Sequence, residues 1–261
     1  MDETARLWVR RYPGDLPPLV ALHGFTQTGA MFAELAELLA NEVLAPDLPG
    51  HGRSAGCPAT FASAIAGVAE VLARVGCPVP LMGYSQGGRV ALAVALERPE
   101  LVSHLVLVST SPGIEDEVER GERRRADEAR AAELEGGDLA SFVDRWLSSP
   151  LFAGLEGRGS AWRESDVARR LENTPGALAA ALVGMGQGAQ PYFGGRLGEL
   201  GMPVLVLAGE RDEKYASIAN AMIRSLPGAI LRIIGEAGHP VIGEQPQVVA
   251  KLTGRFLTEP N

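Results

Sequence analysis

Short apolar runs alternate along this chain with longer stretches whose apolar residues recur three and four positions apart. Runs at 19–22, 43–45, 79–82, 105–108, 204–208 and 230–233 are apolar but for Arg232, the mark of parallel strands covered on both sides. Between them, 31–39, 60–75, 88–96 and 216–226 show helical spacing. The alternation predicts an α/β fold with a mostly parallel sheet, doubly wound by helices on both faces. Before residue 19 there is room for only one short strand pair.

The rhythm stops between 112 and 200, where no strand pattern occurs and several helices do. One is highly charged (115–135), one opens on a capping Asp138 (138–147), one is amphipathic (162–172) and one is Ala-rich (176–184). The stretch reads as an all-helical insertion, giving a core made of 1–111 and 201–261 and a cap of 112–200. The bland alternative is a peripheral helical layer with no role at a site. No internal repeat or low-complexity linker interrupts the chain.

Composition narrows the class. The 261 residues are 46% hydrophobic and 21% charged, ordinary for a globular enzyme of one domain with or without an insertion. A net charge of −8 argues against a nucleic-acid partner, whose phosphates need a basic surface. No apolar run is long enough for a membrane span. Residues 1–6 lack a basic segment followed by an apolar one, so no signal peptide is expected. Cys57 and Cys77 make no disulfide framework, which favours a reduced, cytoplasmic setting. The four histidines are scattered and neither cysteine lies in a metal-like cluster, so no metal site is expected. Nothing here sets an oligomeric state.

The chemistry concentrates in Gly83-Tyr84-Ser85-Gln86-Gly87, set between the strand 79–82 and the helix 88–96. This is the G-x-S-x-G nucleophile elbow, in which a sharp turn exposes the serine hydroxyl beside a helix N-terminus. A serine needs a neighbour to take its proton. His104 falls at the wrong end of its strand, His51 lies in the turn Asp47–Gly52, and His23 shapes the loop after the first strong strand. His239 follows the last strand, and the chain order Ser, acid, His favours it as base. Asp212, after the strand 204–208, is the favoured acid, with Glu210 and Glu213 as alternatives. Asp47 reads as an anchor for its own turn. The backbone N–H groups of Gln86 and Phe25 are the expected oxyanion donors, although Phe25 could be only a core aromatic.

With these residues on the page, the chain resembles the α/β-hydrolase superfamily over essentially its whole length. Within it, the chain is similar to one branch, the 2-succinyl-6-hydroxy-2,4-cyclohexadiene-1-carboxylate (SHCHC) synthase family of menaquinone biosynthesis. The shared motifs are Leu22-His23-Gly24-Phe25-Thr26, Asp47-Leu48-Pro49-Gly50-His51-Gly52 and Gly83 through Arg89. More discriminating are Glu122-Arg123, Phe142-Val143-Asp144-Arg145-Trp146, Pro150-Leu151-Phe152, the segment from Arg170 to Ala180, Gln190-Pro191 and Gly209 through Tyr215.

The resemblance implies a lyase that eliminates pyruvate from a small polycarboxylate, without cofactor or added water. His239 and Asp212 would deprotonate Ser85, whose alkoxide removes a ring proton. Arg89, Arg123 and Arg170 would bind substrate carboxylates, with Tyr84 and Trp146 as aromatic partners. Register leaves Arg124 beside Arg123 and Arg169 beside Arg170 as alternatives, and each arginine could instead be a solvated helix face. A hydrolase acting on an ester or a carbon–carbon bond would use the same triad, so the triad alone does not separate the two.

Overall fold

The computed structural model describes residues 6–258. Residues 1–5, on which the signal-peptide expectation rests, and 259–261 lie outside the described residues. The chain runs β1 (Val9–Tyr12), β2 (Leu16–Leu22), α1 (Ala33–Leu38), β3 (Asn41–Pro46), α2 (Phe61–Ala73), β4 (Val79–Tyr84), α3 (Gln86–Glu97) and β5 (Val102–Val108). It continues through α4 (Glu117–Gly136), α5 (Leu139–Leu147), α6 (Ser160–Arg170) and α7 (Pro175–Met185). It closes with β6 (Val204–Gly209), α8 (Glu213–Ile223), β7 (Ile230–Ile234), α9 (Val241–Glu244) and α10 (Pro246–Thr258). The strands form one sheet in the order β1-β3-β2-β4-β5-β6-β7.

The apolar runs form strands because both faces of the sheet are covered. Successive side chains point to opposite faces. Leu81, Leu105 and Leu107 therefore join one core with Leu72 of α2 and Leu92 of α3, while Met82, Val106 and Val108 join another with Leu35 of α1 and Phe256 of α10. Each such leucine or valine, buried completely, stabilises the fold by roughly 1.5–3 kcal/mol.

β1 does not pair with its neighbour β2; it lies antiparallel to β3, with Val9 opposite Pro46 and Tyr12 opposite Val43. Both edges of β2 are already taken, by β3 on one side and β4 on the other, so the open edge nearest β1 is the outer edge of β3.

Because β3 and β4 flank β2 on opposite sides, the direction of winding reverses there. Loops leaving the C-terminal ends of β2 and β4 diverge and open a crevice. Phe25 lies beyond the end of β2 and Ser85 directly beyond β4, while the loops after β6 and β7 carry Asp212 and His239.

Between β5 and β6 the described residues form α4 to α7 and two 3-10 segments, Pro150–Arg158 and Gly194–Glu199, with no strand. Asp116 and Asp138 start α4 and α5 by accepting the Glu119 and Ser141 amides. Ala131, Leu134, Phe142, Leu178 and Leu182 from α4, α5 and α7 make a small core of their own above the sheet. No helix of the described residues is long and apolar enough to cross a membrane.

Candidate active site

Ser85 sits at φ 51° and ψ −110°, a conformation that costs a non-glycine residue on the order of 1–3 kcal/mol. The surroundings enforce it. The Ser85 amide donates to Val108 O at 2.9 Å, and Thr110 Oγ1 donates to Ser85 O at 2.8 Å. A Cβ on Gly83 would lie 2.4 Å from Gly87 O, and one on Gly87 would lie 2.2 Å from Leu22 O. Only glycines let β4 turn so sharply into α3 and bring that helix against β2.

His239 Nε2 lies 3.1 Å from Ser85 Oγ, and its Nδ1 lies 2.7 Å from Asp212 Oδ2. A carboxylate only accepts, so Nδ1 carries the proton and Nε2 is left to take one from Ser85. Asp212 is held in turn at the start of α8, where Oδ1 accepts the Tyr215 amide at 3.3 Å. The alternative acids point elsewhere: Glu210 accepts the Glu236 amide at 3.2 Å, and Glu213 is exposed on the first turn of α8. The Gln86 amide opens α3, where no intrahelical acceptor exists. Among the described residues neither it nor the Phe25 amide donates a hydrogen bond.

The remaining histidines are structural. His23 Nε2 accepts the Leu48 amide at 2.9 Å, His51 Nδ1 lies 3.0 Å from Pro49 O, and His104 packs edge-on against Phe256. Asp47 accepts the Gly29 and Arg53 amides at 2.8 and 2.9 Å, anchoring its own turn. Burial pulls His23 down from 6.5 to about 4 and, with His23 adding to the effect, His51 to about 3. Unfolding lets both take protons near pH 6.5, so the unfolded state binds more protons throughout that window. Stability is therefore fully present above about pH 6.5 and falls as the pH drops towards 4 and 3, each histidine accounting for an amount on the order of 3 kcal/mol. Denaturant melts at pH 7.5 and 4.5 should differ strongly, and His51→Asn should shrink that difference. An unchanged difference would contradict the assignment.

Above Ser85 lies a cavity of about 530 Å³, lined by Phe25, Gln86, Arg89, Arg123, Trp146 and His239 among others. Arg89 is nearly buried, donating to Met185 O at 2.9 Å and to Gln190 Oε1 at 3.4 Å. Burial pulls its guanidinium down to about 10, which leaves it charged at neutral pH. Arg123 lines the cavity, whereas Arg124 turns to Gly188 O at 3.0 Å. Trp146 packs against Phe25 at 5.5 Å and Phe152 at 5.7 Å between ring centroids.

Two of the sequence candidates stand apart. Tyr84 and Arg170 line a narrower neighbouring recess, in which Arg169 also takes part. Arg170 is only 1% exposed, pairs with Asp166 at 2.8 Å and donates to Thr26 Oγ1. Burial raises the Tyr84 hydroxyl well above its usual range, so it stays protonated.

The cavity also contains Gln187, which the sequence did not point to, and Lys214 and Tyr215, which belong to the family-like segment Gly209 through Tyr215 but carry no expected site role. The Tyr215 ring lies 4.5 Å from that of His239. Its position, three after the capping Asp212, was the available signal. Gln187 offered none, because its partners are remote in sequence. Among the described residues no group of three or more His, Cys, Asp or Glu side chains is placed to hold a metal ion.

A sequence model of the alpha/beta hydrolase family matches residues 19–252. The chain belongs to that family. It is 34% identical, over 94% of its length and 95% of the relative's, to the 2-succinyl-6-hydroxy-2,4-cyclohexadiene-1-carboxylate synthase of Citrobacter koseri. A Bacillus subtilis protein provisionally given the same name is 36% identical over 94% of this chain and 92% of its own length. Among solved structures, MenH from S. aureus superposes with a TM-score of 0.90 at 33% identity, covering 95% of this chain and 97% of that one. A thermophilic esterase from Thermogutta terrifontis, with malate bound, gives 0.81 at 26% identity over 96% and 92%. Family members thus share this framework while bearing the names of different activities.

Proposed function

We propose that this protein eliminates pyruvate from 2-succinyl-5-enolpyruvyl-6-hydroxy-3-cyclohexene-1-carboxylate to give SHCHC in menaquinone biosynthesis. One observation carries the reading: in a chain of net charge −8, the guanidinium groups of Arg89 and Arg123 share the cavity of Ser85 and His239. Among the described residues Arg89 donates to neutral acceptors and Arg123 pairs with Asp127 through Nε, so both guanidinium groups keep N–H donors for an anionic ligand, and guanidinium forks match carboxylates. The names of the full-length relatives agree with a substrate of that kind.

In this mechanism His239, oriented by Asp212, takes the Ser85 proton. The alkoxide then removes the proton from ring carbon 2, which carries the succinyl group. Charge building on the succinyl ketone oxygen is held by the Gln86 and Phe25 amides. The carbon–oxygen bond at ring carbon 5 breaks as the 3,4 double bond gives way to double bonds at 2,3 and 4,5, and the leaving enolate takes one proton to become pyruvate. One proton leaves the ring and one reaches the product, so neither water nor a cofactor is consumed. Arg89 and Arg123 bind carboxylates, with Trp146 beside the ring, whereas Arg170 and Tyr84 would be met only by a substrate group that enters the neighbouring recess. Residues 112–200 act as the cap over a core formed by 1–111 and 201–261. The work is cytoplasmic, where such a polycarboxylate is made.

The test is pyruvate release. Generating the enolpyruvyl intermediate in situ from isochorismate and 2-oxoglutarate with the upstream synthase should give release well above its spontaneous rate. Arg89→Ala is expected to raise KM by roughly 10–100-fold, the equivalent of a lost charge-assisted hydrogen bond. Arg89→Lys should recover only part, because the fork is lost. Background-level release with turnover of a p-nitrophenyl ester would make the protein a hydrolase instead.

A further inference from the structure

Arg123 is half exposed on a highly charged helix, yet it points into the cavity rather than to solvent. What holds it there is a carboxylate outside the triad. Asp127, one turn further along α4, is 2% exposed and accepts from Arg123 Nε at 2.8 Å. Its second oxygen accepts the Gly188 amide at 3.2 Å. Arg130, at 3.8 Å, completes its surroundings. Both Asp127 oxygens are therefore committed, one to the helix and one to the turn that follows α7.

That turn meets several groups of the site at once. Arg123 Nη1 donates to Gln187 Oε1, and Gln187 Nε2 donates to Tyr215 Oη at 3.0 Å, beside His239. Met185 O and Gln190 Oε1, which flank the same turn, receive Arg89. We infer that Asp127 is a positioning residue, clamping α4 to the 185–190 turn so that Arg123, braced by Gln187, presents a fixed cation to a substrate carboxylate. It touches neither the reacting serine nor its base, and it acts through Arg123. The inference deepens the proposed function and rests on it for the identity of the ligand.

Asp127→Asn tests this with little change of shape. An asparagine has one acceptor oxygen, so it can satisfy Arg123 or the Gly188 amide but not both, and its NH2 faces a donor. With the in situ substrate, KM should rise about 10-fold or more while kcat stays within about 3-fold. Asp127→Glu should not restore it, because the longer side chain cannot span the same two donors. In an Arg123→Ala background Asp127→Asn should add nothing to KM, a coupling that general loss of packing would not produce. Amide hydrogen exchange across 185–190 should quicken in Asp127→Asn while β4 and the elbow keep their protection.

A wild-type enzyme that accelerates pyruvate release, with KM unchanged in Asp127→Asn, would overturn this inference alone. Absent acceleration by the wild type would remove the proposed function, and the exchange measurement would then decide: quickened exchange at 185–190 supports the clamp and unchanged exchange overturns it.

Discussion

Ser85→Ala is expected to lower kcat for pyruvate release by roughly 10³–10⁴-fold while leaving KM within a few-fold of wild type. The first half follows from the base: without Oγ no group among the described residues remains within hydrogen-bond reach of His239 Nε2 to carry its basicity to the ring proton. The second follows from the wall: Arg89, Arg123 and Trp146 are unchanged, and they would supply the ground-state binding. Stability should barely move, because alanine at φ 51° is strained as serine is. Ser85→Gly, equally inactive, should be more stable than Ser85→Ala by about 1 kcal/mol, since glycine accepts that backbone at little cost. Coupling pyruvate to lactate dehydrogenase and following NADH reads the rate, and a denaturant melt reads the stability. Retention of wild-type kcat by Ser85→Ala would mean that His239 acts directly on the substrate.

Local rules made the centre of the sheet and the order of the catalytic candidates readable from sequence. A central parallel strand is buried on both faces, so β4, β5 and β6 stand out as unbroken apolar runs bounded by turns. The edges do not. β1 reads Val-Arg-Arg-Tyr, with one face on the sheet and no neighbour beyond, and its partner was decided by which strand edge stayed open. The elbow was legible because Gly83, Ser85 and Gly87 meet a backbone requirement within five residues, and Asp212 and His239 because each follows a strand. The second layer of the site was not. Asp127 meets Gly188 across 61 positions and Arg123 meets Gln187 across 64, pairings set by how α4 lies on the turn after α7. Arg170 shows the same limit from the other side. Its chemistry suits a carboxylate, and Asp166 stands four residues before it at helical ion-pair spacing, but that both are buried is set by how α6 packs on the loop around Thr26.

That burial makes Arg170→Met a large perturbation of the fold. Arg170 and Asp166 are 2% and 7% exposed in their side chains and pair at 2.8 Å. Removing one member leaves the other charged in a low-dielectric setting, typically a loss of about 3–5 kcal/mol. For a domain of this size that is a fall in Tm of roughly 6–20 °C. Asp166→Leu should fall similarly, because it strands the guanidinium. Replacing both, as Asp166→Leu with Arg170→Met, should recover most of the lost stability, since an apolar pair of similar volume removes both desolvation costs. If Arg170 also serves substrate binding, the double variant should regain its Tm but keep a raised KM for the polycarboxylate. Recovery of both would make Arg170 a purely structural residue. A single Arg170→Met variant with unaltered Tm would show instead that Asp166 is stabilised without its partner, by water reaching the recess beside Tyr84. The double variant therefore separates two demands on one guanidinium, the fold's need to neutralise Asp166 and the substrate's need for a cation.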